Sequence, residues 1–151
     1  MTDIVPPSVR SRMMAGIRGK DTLPERLIRS GLHRMGFRFR LHPMNVPGRP
    51  DIVLPRYRAA IFVHGCFWHG HNCPLFKVPG DNREFWVRKI EGNRSRDAEV
   101  ADLLRKAGWR QLTIWECAMK GAGKLDPDKL LQRCAKWILG AKRTSTIRGR
   151  R

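Results

Sequence analysis

Acidic residues are scarce in this sequence. Asp and Glu together number 13 against 31 Lys and Arg, and the 151-residue chain carries a formal net charge of +18 at pH 7. A compact domain with so much self-repulsion is expected to have a polyanion as its working partner. Nucleic acid is the first candidate for this partner, and an anionic membrane surface is the second.

Long apolar runs are absent as well. No run of about 18 apolar residues occurs, so no segment is expected to span a bilayer, and the opening MTDIVPPSVRSRMM lacks the apolar stretch of a signal peptide. Cysteines number only four, and two of them lie among histidines, which favours metal ligation over disulfides. These features predict a cytoplasmic protein that does not span a membrane, and with nucleic acid as the favoured polyanion we expect no membrane partner.

The chain is long enough for one domain with a hydrophobic core, and its ends differ from its middle. Residues 1–21 are polar, basic and interrupted by prolines, which predicts an arm that is either disordered or ordered by a partner. The domain itself is expected to span residues 22–140. Residues 141–151, AKRTSTIRGRR, are predicted to form a loose basic tail.

Apolar patterning predicts an α/β domain with the element order α-β-β-β-α-β-α. The first helix begins with Thr22 as N-cap, Pro24 in its first turn and Glu25 three residues after the cap. The following elements are strands over 37–41, 51–55 and 59–64, a helix over 82–107, a strand over 109–116 and a helix from 126. The residues that the last helix is expected to bury are Leu130, Leu131, Cys134, Trp137 and Ile138.

The stretch HGCFWHGHNC, residues 64–73, contains three histidines and two cysteines, whereas a tetrahedral zinc site needs about four ligands. Because thiolates bind zinc strongly, we predict a set of three cysteines and one histidine. Its members are Cys66, His71, Cys73 and Cys117. Cys117 would lie beside the loop if the strands ending near His64 and Glu116 are neighbours. The alternative is a group of buried thiols and exposed histidines without a metal.

Four other residues are candidates for chemistry. His64 leaves a buried strand and His69 lies in the same loop, so each is either a surface histidine or a group that accepts a proton or stabilises a phosphate. Asp51 begins a buried apolar strand, where a carboxylate is unfavourable unless its charge is used, commonly by Mg²⁺. The alternative for Asp51 is a turn residue after PGRP. The capping position explains Glu25 on spacing alone.

The predicted long helix carries two polar residues within an apolar stripe. The stripe consists of Trp86, Ile90, Asn93, Asp97, Val100 and Leu104. A buried carboxylate needs a partner. Asp97 is therefore either on a solvated helix edge or supports a histidine of the Cys/His loop.

The order of elements, with Pro50-Asp51 on the second strand, resembles the restriction-endonuclease-like PD-(D/E)-x-K nucleases, which implies a mixed central sheet with flanking helices. Most of that group carry an acidic residue and a lysine on the third strand, where this chain has Phe62-Val63-His64. That departure, together with PGRPD, FxHGCFWH, HxC and WEC, resembles the very short patch repair (Vsr) mismatch endonucleases. The similarity runs from about Ser8 to about Trp137.

This resemblance implies a Mg²⁺-dependent, strand-specific DNA endonuclease with a structural Zn²⁺. Such an enzyme nicks duplex DNA 5′ to the T of a T·G mismatch left by deamination of 5-methylcytosine, and so initiates very short patch repair. It further implies a bacterial, cytoplasmic monomer that is associated with the nucleoid when on DNA. Mismatch-repair proteins are additional candidate partners.

The resemblance also implies roles for individual residues in cleavage. Asp51 and the main chain of Val63 would ligate Mg²⁺. His69 would orient or deprotonate the attacking water, and His64 would assist at the phosphate. Glu25 would join the active site from the first helix, and the four Cys/His ligands would bind Zn²⁺.

Several aromatic and polar residues would recognise the mismatch. Phe67, Trp68 and Trp86 would intercalate from one groove and Met14 from the other, because apolar wedges unstack base steps most easily where pairing is weak. Lys89 and Asn93 would contact the mismatched bases. Ordinary core packing is the alternative for the aromatic residues. Two other functions remain open: a non-catalytic, zinc-containing DNA-binding module, and a related nuclease that acts on a branched junction or a restriction site.

Overall fold

The computed structural model describes residues 22–150 and contains, within that range, one sheet of five strands. The strands are Arg40–Leu41 (β1), Ile52–Leu54 (β2), Ala59–His64 (β3), Arg110–Trp115 (β4) and Thr144–Ile147 (β5). Their spatial order follows the chain, with antiparallel pairing from β1 to β3 and parallel pairing from β3 to β5. The helices of this range are Leu23–Arg34 (α1), Arg83–Lys106 (α2) and Pro127–Leu139 (α3). The predicted α/β class with a mixed sheet is confirmed.

Two helices begin where their capping residues predict. Thr22 Oγ1 accepts a hydrogen bond from the main-chain N–H of Glu25 at 3.3 Å, and Asp126 Oδ2 accepts one from the N–H of Lys129 at 3.2 Å. Each bond satisfies a first-turn donor that has no partner within the helix. The residues predicted to face inward on α3 are all buried, namely Leu130, Leu131, Cys134, Trp137 and Ile138.

Helices cover the sheet on both faces. Consecutive residues of β3 separate the two layers: Ile61 belongs to the core under α1 and α3, whereas Phe62 belongs to the core under α2. His64 follows Phe62 on the α2 face, with their ring centroids 5.3 Å apart. The carboxyl end of β3 therefore points its last side chain towards α2. None of the helices within residues 22–150 is long and apolar enough to cross a membrane.

β1 is shorter than the strand predicted over 37–41. The N–H of Phe37 donates to the carbonyl of Leu32 at 3.1 Å, so it closes the end of α1 instead of joining the sheet. Gly36 has a φ of 98°, which permits this closure. The ring of Phe37 packs in the core against Tyr57, with centroids 5.9 Å apart. Sheet pairing therefore starts three residues later than predicted.

The prediction of a loose tail over residues 141–151 is wrong for Thr144–Ile147, which forms β5 beside β4. The segment is rich in β-branched residues, which suit a pleated strand, and its last residue is buried in the core. Arg110 of β4 fixes the approach to the strand, because its guanidinium donates to the carbonyls of Trp137 at 2.6 Å and Lys142 at 3.0 Å. The basic composition concealed this pairing.

Candidate functional site

The parallel pairing of β3 and β4 assembles the Cys/His cluster. His64 is matched with Trp115 in the register of the two strands, so Cys66 and Cys117 each lie two residues beyond a matched pair. The two strands are neighbours, as the predicted placement of Cys117 requires. The ligand atoms within 4.8 Å of one another are those of Cys66, His71, Cys73 and Cys117. This cluster can hold a metal ion.

The environment of the thiols suits a cation. Cys66 and Cys117 are buried, and burial raises the pKa of the Cys66 thiol above its usual range. The N–H of Cys117 donates to Cys66 Sγ at 3.3 Å, a contact that stabilises a thiolate. A divalent cation would stabilise the thiolate form, which burial disfavours. Three sulfurs and one imidazole form a donor set typical of tetrahedral structural sites.

The C-terminal segment closes over this cluster, which sequence reasoning missed. The N–H of Gly149 donates to Cys117 Sγ at 3.3 Å, and the Arg148 guanidinium donates to the carbonyl of Asn72 at 2.8 Å. A Cβ on Gly149 would lie 2.2 Å from the carbonyl oxygen of Cys117. Only glycine permits this close approach. The signal was a glycine placed two residues after a strand of β-branched residues.

Two histidines and one carboxylate lie together at the end of β3. The rings of His64 and His69 are stacked, and Asp97 Oδ2 of α2 lies 2.5 Å from His69 Nδ1. Their possible ligand atoms all lie within 4.8 Å of one another. Burial lowers the pKa of His64 to about 3, the nearby His69 adds to this effect, and Asp97 opposes it. His64 is therefore neutral near pH 7.

A second cluster lies where β2 meets β3. Asp51 Oδ2 accepts a hydrogen bond from the main-chain N–H of Val63 at 2.6 Å. Burial raises the pKa of Asp51 to about 7; the bond from Val63 opposes this effect and the charge of Glu25 adds to it. Glu25 is buried at the start of α1. Because Val63 and His64 are consecutive, they connect this cluster to the histidine pair.

His42 completes the second cluster, and sequence reasoning missed it. Its Nε2 lies 2.7 Å from Glu25 Oε1 and its Nδ1 lies 3.7 Å from Asp51 Oδ1. The register of β1 and β2 pairs Leu41 with Ile52, so position 42 falls opposite Asp51. A histidine immediately after a strand that pairs with DIVL was the signal that could have identified it.

The three aromatic residues predicted as wedges form one cluster. The ring centroids of Phe67 and Trp86 are 5.5 Å apart, and those of Trp68 and Trp86 are 5.8 Å apart. All three side chains are partly exposed. The Asn93 side-chain amide donates to the carbonyl of Trp68 at 2.8 Å, which ties the loop to α2. Met14 and the whole predicted arm lie outside the described residues.

A cleft of about 810 Å³ joins the aromatic cluster to the histidine pair. Its wall includes Trp68 and His69 of the loop, and Lys89, Asn93 and Asp97 of α2. The cleft thus brings cationic, amide and aromatic groups to one opening beside the imidazoles. Such a combination suits a nucleic acid, whose phosphates bind cations and whose bases stack on aromatic rings.

Comparison with known proteins indicates the family of the chain. The family model described as DNA mismatch endonuclease Vsr matches residues 2–75. The DNA mismatch endonuclease Vsr of Escherichia coli (strain K12) is 44% identical over 140 residues, which cover 93% of this chain and 90% of that protein. The type II nicking enzyme V.XorIIP of Xanthomonas oryzae pv. oryzae is 45% identical over 126 residues, covering 83% and 93% respectively.

A third relative is similar over most of its length. The type II nicking enzyme V.NmeAIP of Neisseria meningitidis is 43% identical over 120 residues, which cover 80% of this chain and 86% of that enzyme. In each of the three alignments most of both proteins is matched at a high level of identity. The chain therefore belongs to the Vsr family of DNA mismatch endonucleases.

Proposed function

We propose that this DNA endonuclease nicks one strand of duplex DNA 5′ to the T of a T·G mismatch, the product of 5-methylcytosine deamination, and so initiates very short patch repair. The observation that carries the proposal is the position of the His69–Asp97 pair in the same cleft as Phe67 and Trp68 of the aromatic cluster. A group that can accept a proton from water thus lies beside groups that can unstack bases.

Asp51 and the main-chain carbonyl of Val63 are the groups proposed to hold Mg²⁺. The raised pKa of Asp51 supports this assignment, because a nearby cation would stabilise its charged form. Glu25, buried beside it, adds a second carboxylate to the same pocket. When bound, the ion would neutralise charge developing on the scissile phosphate and polarise water.

His69 is proposed to orient the attacking water and accept its proton. Asp97 holds Nδ1 of the ring, which fixes its orientation and stabilises the imidazolium that forms. His64 stays neutral because its pKa is low, so it would assist the phosphate with a neutral N–H and not with a positive charge. The two stacked rings therefore have different tasks.

Zn²⁺ is the ion proposed for the Cys/His cluster, with a structural role. The four donors complete a tetrahedral site without an open position, which is typical of structural zinc. The ion would stiffen the loop that carries Phe67, Trp68 and His69. A stiff loop would keep its shape when the aromatic rings enter the base stack, so the DNA would deform and the loop would not.

The remaining recognition residues are proposed from the resemblance to the family, and Phe67, Trp68, Lys89 and Asn93 among them line the cleft. Phe67, Trp68 and Trp86 would enter one groove, and Met14 on the arm would enter the other. Lys89 would contact the mismatched bases, and Asn93 would join it through the part of its amide not engaged with Trp68. The net charge of +18 supplies attraction to phosphates. We expect a monomer that works on DNA in the cytoplasm and nucleoid, with mismatch-repair proteins as further partners.

Nicking assays on a panel of duplexes test the proposal. With Mg²⁺ present, we expect cutting 5′ to the T of T·G substrates in a preferred flanking sequence and no comparable cutting of T·A controls. Asp51→Asn should retain DNA binding and lose cutting. A zinc-loaded, folded protein that cuts T·G and T·A duplexes equally would contradict the mismatch specificity.

A related nuclease with another substrate is the second candidate. The names of several relatives, type II nicking enzymes, favour a nicking activity without stating a mismatch. Preferred cutting of a branched junction or an intact restriction site in the same panel would support this candidate. Membership of an endonuclease family argues against the non-catalytic module.

A further inference from the structure

His42 lies between two carboxylates in a pocket from which water is largely excluded. Its side chain is 12% exposed, against 1% for Glu25 and 17% for Asp51. The two ring nitrogens face different partners, Nε2 towards Glu25 at 2.7 Å and Nδ1 towards Asp51 at 3.7 Å. The three residues come from three elements of the chain: the start of α1, the turn after β1 and the entry to β2.

The contact between His42 and Glu25 is close but is not an ordinary hydrogen bond. Nε2 of His42 is buried and has no hydrogen-bond partner within the described residues, although it lies 2.7 Å from Glu25 Oε1. Adjacent ligands of an octahedral cation, at bond lengths of about 2.1 Å, are about 3 Å apart. The separation of these two atoms is close to that spacing.

The donor set defines which cation fits. One ligand atom from each of Glu25, His42 and Asp51 lies within 4.8 Å of the other two. Two carboxylates alone suit Mg²⁺, whereas an imidazole adds affinity for divalent transition-metal ions. A site with both is expected to bind ions from Mn²⁺ to Ni²⁺ more tightly than Mg²⁺.

We propose that His42 is a further protein ligand of the catalytic cation, beside Asp51, the Val63 carbonyl and Glu25, and that it gives the site a preference for transition-metal ions over Mg²⁺. This inference rests on the proposed function, because it concerns the cation that Asp51 would bind there. The competing explanation is that the His42 imidazole only pairs with the two carboxylates and is displaced by the cation. The two explanations predict opposite effects of removing the imidazole.

Binding of Mn²⁺ to the zinc-loaded full chain without DNA separates them. The electron spin-echo envelope modulation of bound Mn²⁺ should show coupling to an imidazole ¹⁴N in the wild type. This coupling should be absent in His42→Gln. The affinity for Mn²⁺ should fall at least about tenfold in that variant, and the affinity for Mg²⁺ should fall less. His33→Gln is the matched control, because His33 is exposed on α1 and contacts Phe39.

Folding and function are measured on the same samples. Zinc content and thermal unfolding verify each variant, and His42→Asn is a second substitution if His42→Gln does not fold. Unchanged ¹⁴N coupling, or unchanged or tighter Mn²⁺ binding in both variants, would overturn the inference. Nicking of T·G against T·A duplexes with Mg²⁺ is measured separately, so a failure of mismatch specificity does not alter the spectroscopic result.

Discussion

The imidazole rings of His64 and His69 are stacked, with centroids 3.7 Å apart and an angle of 2° between their planes. Their electrostatic settings nevertheless differ. Asp97 Oδ2 lies 2.5 Å from Nδ1 of His69, whereas burial keeps His64 neutral by lowering its pKa. In the proposed mechanism, Asp97 would therefore favour His69 over His64 as the group that accepts a proton from water.

Asp97→Asn tests the pairing with His69. The amide keeps the size of the side chain but removes the charge that stabilises an imidazolium, so we expect the single-turnover nicking rate to fall at least about 100-fold. DNA affinity should change little, because the Asp97 side chain has no positive charge with which to bind a phosphate. Asp102→Asn is the control, since Asp102 lies on the same helix but pairs with Arg105 and Lys106. Equal nicking by wild type and Asp97→Asn would exclude the pair from the mechanism.

The His64 imidazole should remain neutral between pH 5 and pH 8. Its pKa of about 3 lies below the usual 6.5, so its NMR signal should not titrate between pH 8 and pH 5. The unfolded chain binds a proton here below about pH 6.5 while the folded chain does not, and folding stability therefore falls as the pH falls. A midpoint near 6.5 for His64 would contradict the predicted burial effect.

Asp51 should make the Mg²⁺-free protein less stable as the pH rises. Between pH 3.8 and about 7 the folded state holds a proton on Asp51 that the unfolded state has lost, so stability decreases across this window. The difference between the two pKa values of Asp51 corresponds to a loss of at most roughly 4 kcal/mol in the free energy of unfolding. In urea unfolding of zinc-loaded protein, Asp51→Asn should lack this loss and exceed the wild type in stability at pH 8. Identical pH dependence of the two proteins would contradict the prediction.

Gly149→Ala should weaken the Cys/His cluster from a distance in sequence. The added Cβ would meet the carbonyl of Cys117 at 2.2 Å and displace the N–H that donates to Cys117 Sγ. We expect a loss of about 1–3 kcal/mol in stability and faster release of zinc to a chelator. Gly80→Ala is the control, because nothing lies within 4 Å of a Cβ there. Equal zinc release from both variants would show that the C-terminal segment does not support the cluster.

Periodicity and chemistry in the sequence predicted much of the fold and site. The period of α2 placed Asp97 on the inner stripe, where it meets His69. Clustering of sulfur and imidazole predicted the metal cluster, and the parallel register of β3 and β4 explains why Cys117 belongs to it. These features follow from local pattern or from ligand chemistry, both of which a single sequence shows.

Features set by the pairing of distant segments were not predictable in the same way. The role proposed for His42 depends on the register of β1 and β2, which places its side chain beside Asp51. The residues that flank β5 have a basic composition typical of a tail, and the place of the strand beside β4 depends on the buried Ile147 and on Arg110, which ties down the preceding chain. Long-range pairing decided both cases, and composition did not reveal it.

Single-turnover nicking of a T·G duplex and its T·A counterpart, with Mg²⁺ and with both strands labelled, measures mismatch specificity and strand choice in one experiment. We expect a cut in one strand only, 5′ to the mismatched T. The T·A duplex should be cut at least about 100-fold more slowly, because unstacking a mismatched base costs less. Equal rates on the two duplexes, or cutting of both strands of the T·G duplex, would contradict the proposed function.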